Sequence, residues 1–146
     1  MIQFEKSIFI RRSPQDVFAY VTNPNNAPRW MAGVQDAEWT SDDHAGVGST
    51  WKVTTKFLGR TIEGELERTR FDPPNHVTSK VVRGPIPYES TFTLEAQDNG
   101  TLLTFSGQVE IGGFFKLGEG LVGQQLKKNQ DADLAALKLL LEADEA

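Results

Sequence analysis

The sequence contains no cysteine. That absence excludes disulfides, a thiolate nucleophile and any cysteine-based metal site. Histidine is scarce, with only His44 and His76, too few to anchor a histidine-rich metal centre. Positive charge is not in excess: 15 Lys and Arg stand against 20 Asp and Glu, for a net charge of −5. Nucleic acid, whose backbone is held by basic surfaces, is therefore not an expected partner. No apolar run approaches the length of a membrane span, and the start of the chain lacks the basic-then-apolar layout of a signal peptide. These features fit a cytoplasmic protein. The 146 residues are expected to form one domain over 1–146 with room for a substantial core.

The most organised stretch lies at the C-terminal end. Gly112 to Gly120 is rich in glycine. From about Leu121 onward Ala, Leu, Gln, Lys and Glu dominate, all good helix formers. Leu126, Leu134, Leu137 and Leu141 recur at helical spacing, and so do Leu121, Ala132, Ala136 and Leu139. A stripe that wide needs a surface to cover.

Upstream, residues 3–10 alternate as a strand. Ser13-Pro14-Gln15-Asp16 then opens a short helix, with Ser13 as cap, Pro14 at its first position and Asp16 at the positive end of the dipole. Asn23-Pro24 ends it, and a second short helix is expected over 25–30. Strands follow near 34–41, 49–57, 60–71, 76–83, 87–97 and 101–111. A turn at Leu58-Gly59 sets Phe57 against Arg60, Thr55 against Ile62, Val53 against Gly64 and Trp51 against Leu66. The opposite face then pairs Lys52 with Glu65 and Thr54 with Glu63, as a sheet with one wet side should. A turn around Asp98-Asn99-Gly100 sets Leu94 against Leu103, Phe92 against Phe105, Ser90 against Gly107 and Tyr88 against Val109. Val77, Ser79 and Val81 share the inner face.

That inner face mixes large side chains with very small ones: Trp51 and Phe92 beside Gly64, Gly107, Ser79 and Ser90. One helix cannot fill the concave side of a strongly curved sheet, so a gap is expected. The candidate ligand contacts are Trp30, Trp51, Val53, Thr55, Ile62, Gly64, Leu66, Ser79, Val81, Arg83, Tyr88, Ser90, Phe92, Phe105, Val109 and Leu121. Aromatic surface with a few polar groups is the usual make-up of a small-molecule pocket. The expected partner is a small hydrophobic or amphipathic molecule. No cofactor or metal is indicated, and monomer and homodimer are both left open.

Several phrases resemble the START-like (SRPBCC) helix-grip superfamily, most closely its polyketide cyclase/dehydrase-like branch. They are Ser13-Pro14-Gln15-Asp16-Val17-Phe18-Ala19-Tyr20-Val21, Asn23-Pro24, Arg29-Trp30, Phe71-Asp72-Pro73-Pro74, Thr91-Phe92-Thr93-Leu94, Gly100-Thr101 and Asp133-Leu134-Ala135-Ala136-Leu137-Lys138. The resemblance implies an α+β helix-grip fold of order β-α-α-β6-α. In it a curved antiparallel sheet wraps a long C-terminal helix over an apolar cavity. Members of the superfamily include carriers of hydrophobic ligands and aromatising cyclases, and no shared catalytic signature comes with the resemblance.

The remaining motifs are weaker. Gly118-Glu119-Gly120-Leu121-Val122-Gly123 matches GxGxxG in letters, but a dinucleotide unit needs a further parallel strand after the helix, and the helix is the last element of the sequence. A flexible approach to the helix, with glycine where the backbone passes close to the sheet, is the better reading; a ligand gate is the lesser one. Glu63, Glu65 and Glu67 alternate on the wet face as a solvated ladder. His44, in the loop Ser41-Asp42-Asp43-His44, and His76 read as surface histidines. Arg68, Arg70 and Arg83 share inward parity only if their strands stay regular; a bulge would turn them to solvent, the commoner fate of an arginine. Tyr88 is the expected polar handle of the pocket. The enzymatic alternative is a cyclase or dehydratase in which Tyr88, Arg83 and Ser90 position carbonyls.

Overall fold

The computed structural model describes residues 1–115 and 118–143. Its elements run β1 (Ile2–Ile10), α1 (Pro14–Val21), a 3-10 turn (Pro24–Asn26), α2 (Ala27–Trp30), β2 (Val34–Trp39), β3 (Thr50–Phe57), β4 (Arg60–Asp72), β5 (His76–Arg83), β6 (Tyr88–Gln97), β7 (Gly100–Val109) and α3 (Glu119–Ala143). The seven strands form one antiparallel sheet in the order β1-β7-β6-β5-β4-β3-β2. This is the helix-grip arrangement, with α3 against the inner face.

Local chemistry sets the element ends. Ser13 Oγ accepts the Asp16 N–H at 3.2 Å and Pro14 occupies the first turn of α1. The second expected short helix is split into a 3-10 turn over Pro24–Asn26 and one α-turn over Ala27–Trp30. Leu58 and Gly59 both take positive φ, 50° and 79°, as a tight hairpin turn requires. The β3–β4 and β6–β7 registers are the expected ones, from Phe57 opposite Arg60 to Trp51 opposite Leu66, and from Tyr88 opposite Val109 to Leu94 opposite Leu103. All neighbours in the sheet are antiparallel, so no βαβ unit exists around Gly118–Gly123 among the described residues.

The phase of α3 departs from expectation in one respect. Its buried side is Val122, Gly123, Gln130, Leu134, Leu137 and Leu141. The second stripe faces water: Leu121 is 59% and Leu139 73% exposed. Leu121 is therefore not a cavity residue. Val122, one position on, takes its place, packed in the cluster with Ile2, Ile86, Val109, Ile111 and Phe115.

Two apolar clusters hold the sheet to the helix. One gathers Phe4, Ile10, Val17, Phe18, Trp30 and Leu94 with Leu134, Leu137 and Leu141. The other gathers Ile2, Ile86, Val109, Ile111, Phe115 and Val122 around the start of α3. Each fully buried Leu contributes about 1.5–3 kcal/mol. Tyr88 and Leu126 touch both clusters, and the space between the clusters is not filled. No helix of the described residues is long and apolar enough to cross a membrane.

Candidate functional site

A cavity of about 310 Å³ lies between the sheet and α3. Its sheet wall is built from inward positions of successive strands: Trp51, Val53 and Thr55 on β3, Ile62, Gly64, Leu66 and Arg68 on β4, Val77, Ser79 and Val81 on β5. β6 adds Tyr88, Ser90 and Phe92, and β7 adds Phe105 and Val109. The helix wall is Val122, Leu126, Asn129, Gln130 and Asp133. Trp30 and Met31 of the α2 segment close one end, and Ile86, Ile111 and Phe115 the other. Every expected contact except Arg83 and Leu121 lies on this wall.

The small residues divide into two kinds. At Gly64 an added Cβ would meet only the Arg83 carbonyl oxygen, at 3.4 Å, so this glycine leaves real space. At Gly107 it would collide with the Glu89 carbonyl oxygen and the Phe4 ring. Gly107 is thus a close-packing position beneath β1, not part of the void.

Arg83, named among the candidate contacts on the condition that β5 stays regular, does not face inward. Its partner across the ladder is Glu65, while Leu66 pairs with Val81. The extra residue, Val82, forms a bulge that reverses parity. Arg83 therefore points outward, 83% exposed, with its guanidinium 3.5 Å from Glu65. A second bulge between Arg68 and Arg70 turns Arg70 out to Asp72 at 2.6 Å.

Arg68 lies before that bulge and keeps inward parity. It is only 2% exposed. Its Nη2 donates to the Thr22 carbonyl at 2.7 Å and its Nη1 to the His44 carbonyl at 3.3 Å, while its Nε has no partner. The guanidinium lies 4.8 Å from the Phe71 ring, 5.4 Å from Trp51 and 5.5 Å from Trp39. Burial lowers its pKa, opposed by the charge of Asp43. The expectation that this arginine reaches solvent is reversed, because α1 and the β2–β3 loop supply carbonyls that hold it inside. Nearby, Ser49 Oγ is buried without a partner.

The helix wall carries two polar groups that the sequence reading passed over. Asp133 accepts the Ala32 N–H at 3.1 Å, which ties the segment after α2 to α3. Burial raises its pKa against the pull of that backbone bond. Gln130 is 4% exposed, and its Oε1 has no partner. Both fall on the stripe that runs through Leu126, Leu134 and Leu137. A polar residue on an apolar stripe was the signal available in the sequence. Tyr88 keeps some surface toward the cavity, but its hydroxyl is shut off from bulk water. Burial pushes it up to about 12, against the opposing influence of Ser90.

At the far end, the Arg60 guanidinium sits 3.9 Å over the Phe114 ring and donates to the Phe114 carbonyl. Phe57 meets Phe115 edge-on at 5.4 Å. The tip of the β3–β4 hairpin is thereby pinned to the segment leading into α3. Of the glycines read as a possible gate, Gly120 and Gly123 lie within α3. The histidines do not enter the cavity. His44 stacks on Trp39 with ring centres 4.4 Å apart, and His76 contacts Thr78.

The sequence profile of a family described as "Polyketide cyclase / dehydrase and lipid transport" matches residues 1–142. No curated protein matches the chain. Among solved structures, TTHA0849 from Thermus thermophilus superposes with a TM-score of 0.82 at 16% identity, covering 99% of both chains. A START superfamily protein from Mycobacterium smegmatis gives 0.82 at 13% identity, covering 97% of both. The di-domain ARO/CYC StfQ of the steffimycin biosynthetic pathway gives 0.77 at 16% identity, covering 99% of this chain and 52% of that one. At these identities the likeness establishes the fold. The family match extends over nearly the whole length, and the chain belongs to the polyketide cyclase/dehydrase and lipid transport family.

Proposed function

We propose that this member of the polyketide cyclase/dehydrase and lipid transport family binds one small, largely apolar molecule between its sheet and α3. The carrying observation is the cavity of about 310 Å³ walled mainly by Val, Ile, Leu, Phe and Trp side chains, at the lower end of the size range of small-molecule sites. Ligand contacts come from Trp51, Val53, Ile62, Leu66, Val81 and Phe92, with Tyr88 and Ser90 as polar handles. Gly64 and Ser79 leave the room. Native mass spectrometry of protein purified from its own host tests this. The expected result is an organic adduct released on denaturation; protein that is repeatedly ligand-free and takes up no apolar probe contradicts it.

A second reading is catalysis on a polyketide-like ligand in the same cavity, and StfQ, an ARO/CYC protein, is among the structural neighbours. Tyr88 and the half-buried Asp133, both with pKa values raised by burial, are the acid–base groups it would use. Binding is preferred because Arg83, one of the three residues expected to position carbonyls, points to solvent. A Tyr88→Phe variant that lowers turnover far more than affinity would reverse that preference.

A further inference from the structure

We infer that the cavity is polarised, and that its ligand carries a carboxylate for Arg68 on the sheet wall and a hydroxyl for Asp133 on the helix wall of an otherwise apolar body. This rests on the cavity-binding reading and names the ligand class.

The pattern of ion pairs points this way. Of the exposed arginines of β4 and β5, Arg70 has Asp72 and Arg83 has Glu65, while Arg60 lies over the Phe114 ring. Arg68, the buried one, has no acid within ion-pair distance among the described residues, and Asp43 acts on it only from farther off. Its two protein partners are neutral carbonyls, which accept hydrogen bonds but supply no counter-charge. A guanidinium stays protonated in a protein, and an unpaired buried charge is strongly unfavourable. Its planar fork matches a carboxylate. The aromatic rings of Trp39, Trp51 and Phe71 crowd round it and fix its plane.

The acids of α3 show the complementary pattern. Asp131 reaches Lys6 at 3.1 Å, Glu142 reaches Lys138 at 3.0 Å, and Glu119 reaches the Met1 amine at 3.0 Å. Asp133, which faces the cavity, has no cation among the described residues; one oxygen takes the Ala32 N–H and the other is left over. Gln130, one turn earlier, adds an amide whose oxygen has no partner. Arg68 and Asp133 stand on facing walls and do not pair with each other. Each is thus left for a third molecule, and their opposite charges require an acceptor at one place and a donor at the other.

Four probes on one bicyclic frame test this by calorimetry: 2-methylnaphthalene, 2-naphthol, 2-naphthoate and 6-hydroxy-2-naphthoate. The hydroxy acid should bind tightest, with each polar group adding roughly tenfold, the scale of a hydrogen bond to a charged group. Arg68→Met should remove the carboxylate advantage and leave 2-naphthol unchanged; Asp133→Leu should remove the hydroxyl advantage without weakening 2-naphthoate. Arg68→Lys, which keeps charge but loses the fork, should fall between wild type and Arg68→Met, and it serves if the Met variant does not fold. Arg83→Met, on the outer face, should leave every ratio as it was. Equal affinity for all four probes, or equal losses in the Arg68 and Arg83 variants, overturns the polarity assignment while the cavity reading stands. Failure of all four to bind at millimolar concentration contradicts both.

Discussion

Arg68 Nη2 donates to the Thr22 carbonyl oxygen at 2.7 Å, joining the middle of the sheet to the end of α1 through a buried charge with no acid in ion-pair contact among the described residues. The bond anchors α1, but the charge itself works against folding. An apolar side chain of similar length removes both the bond and the penalty. Arg68→Met should therefore keep its unfolding free energy within about 1 kcal/mol of wild type in urea titrations. A loss above about 3 kcal/mol would make Arg68 a structural anchor and weaken its assignment to a ligand.

The two leucine stripes of α3 give an internal contrast. Leu137 is fully buried and Leu139 is 73% exposed. Leu137→Ala should cost about 2–5 kcal/mol, whereas Leu139→Ala should stay within about 0.5 kcal/mol. Chemical denaturation of the pair checks which face of the helix the sheet grips.

Glycines on the inner face separate packing from space. Gly107→Ala forces a Cβ into the Glu89 carbonyl and the Phe4 ring and should destabilise by about 1–3 kcal/mol or more, the scale of overpacking. Gly64→Ala meets only ordinary contact. It should leave thermal stability nearly unchanged while weakening the bulkiest ligands, because the added methyl occupies cavity volume. Melting curves and probe affinities measured on both variants distinguish the two cases.

The pH dependence has a definite sign at Asp133. Burial raises its folded-state pKa above the ordinary 3.8, so between those two values the folded protein holds more protons than the unfolded chain. Stability from this group is then fully present below 3.8, declines as pH rises through the raised value and is level above it. Asp133→Asn keeps an acceptor for Ala32 and removes the charge. It should gain on wild type as pH rises through that window and hold its advantage at neutral pH. Glu142 has the opposite sign. The Arg11 N–H and then Lys138 hold it below 4.5, so its contribution is present above 4.5 and lost as pH falls through the depressed value. Denaturation series of Asp133→Asn and Glu142→Gln across acid pH should diverge in opposite directions.

Much of the inner surface was legible because strands repeat every two residues and the hairpin turns were marked. With Leu58-Gly59 and Asp98-Asn99 placed, the pairs Trp51–Leu66 and Tyr88–Val109 followed. What parity cannot see is a bulge. Val82 and Thr69 each add one residue to a strand, so Arg83 and Arg70 left the inner face while Arg68 stayed on it. Helix phase failed at Leu121 for a different reason: two leucine stripes fit the spacing, and only packing against the sheet, which buries Val122, Leu134, Leu137 and Leu141, selects between them. Gln130 and Asp133 were passed over because a stripe is read from its apolar members, yet these two interruptions supply the polar groups of the helix wall.

The most direct test of the cavity-binding reading is a methyl-resolved NMR titration with 2-naphthoate. Saturable shifts confined to Val53, Ile62, Val81, Val122 and Leu126, with Leu121, Leu139 and Val82 unmoved, are the predicted result. No shift at millimolar probe, or shifts confined to the exposed methyls, would contradict it.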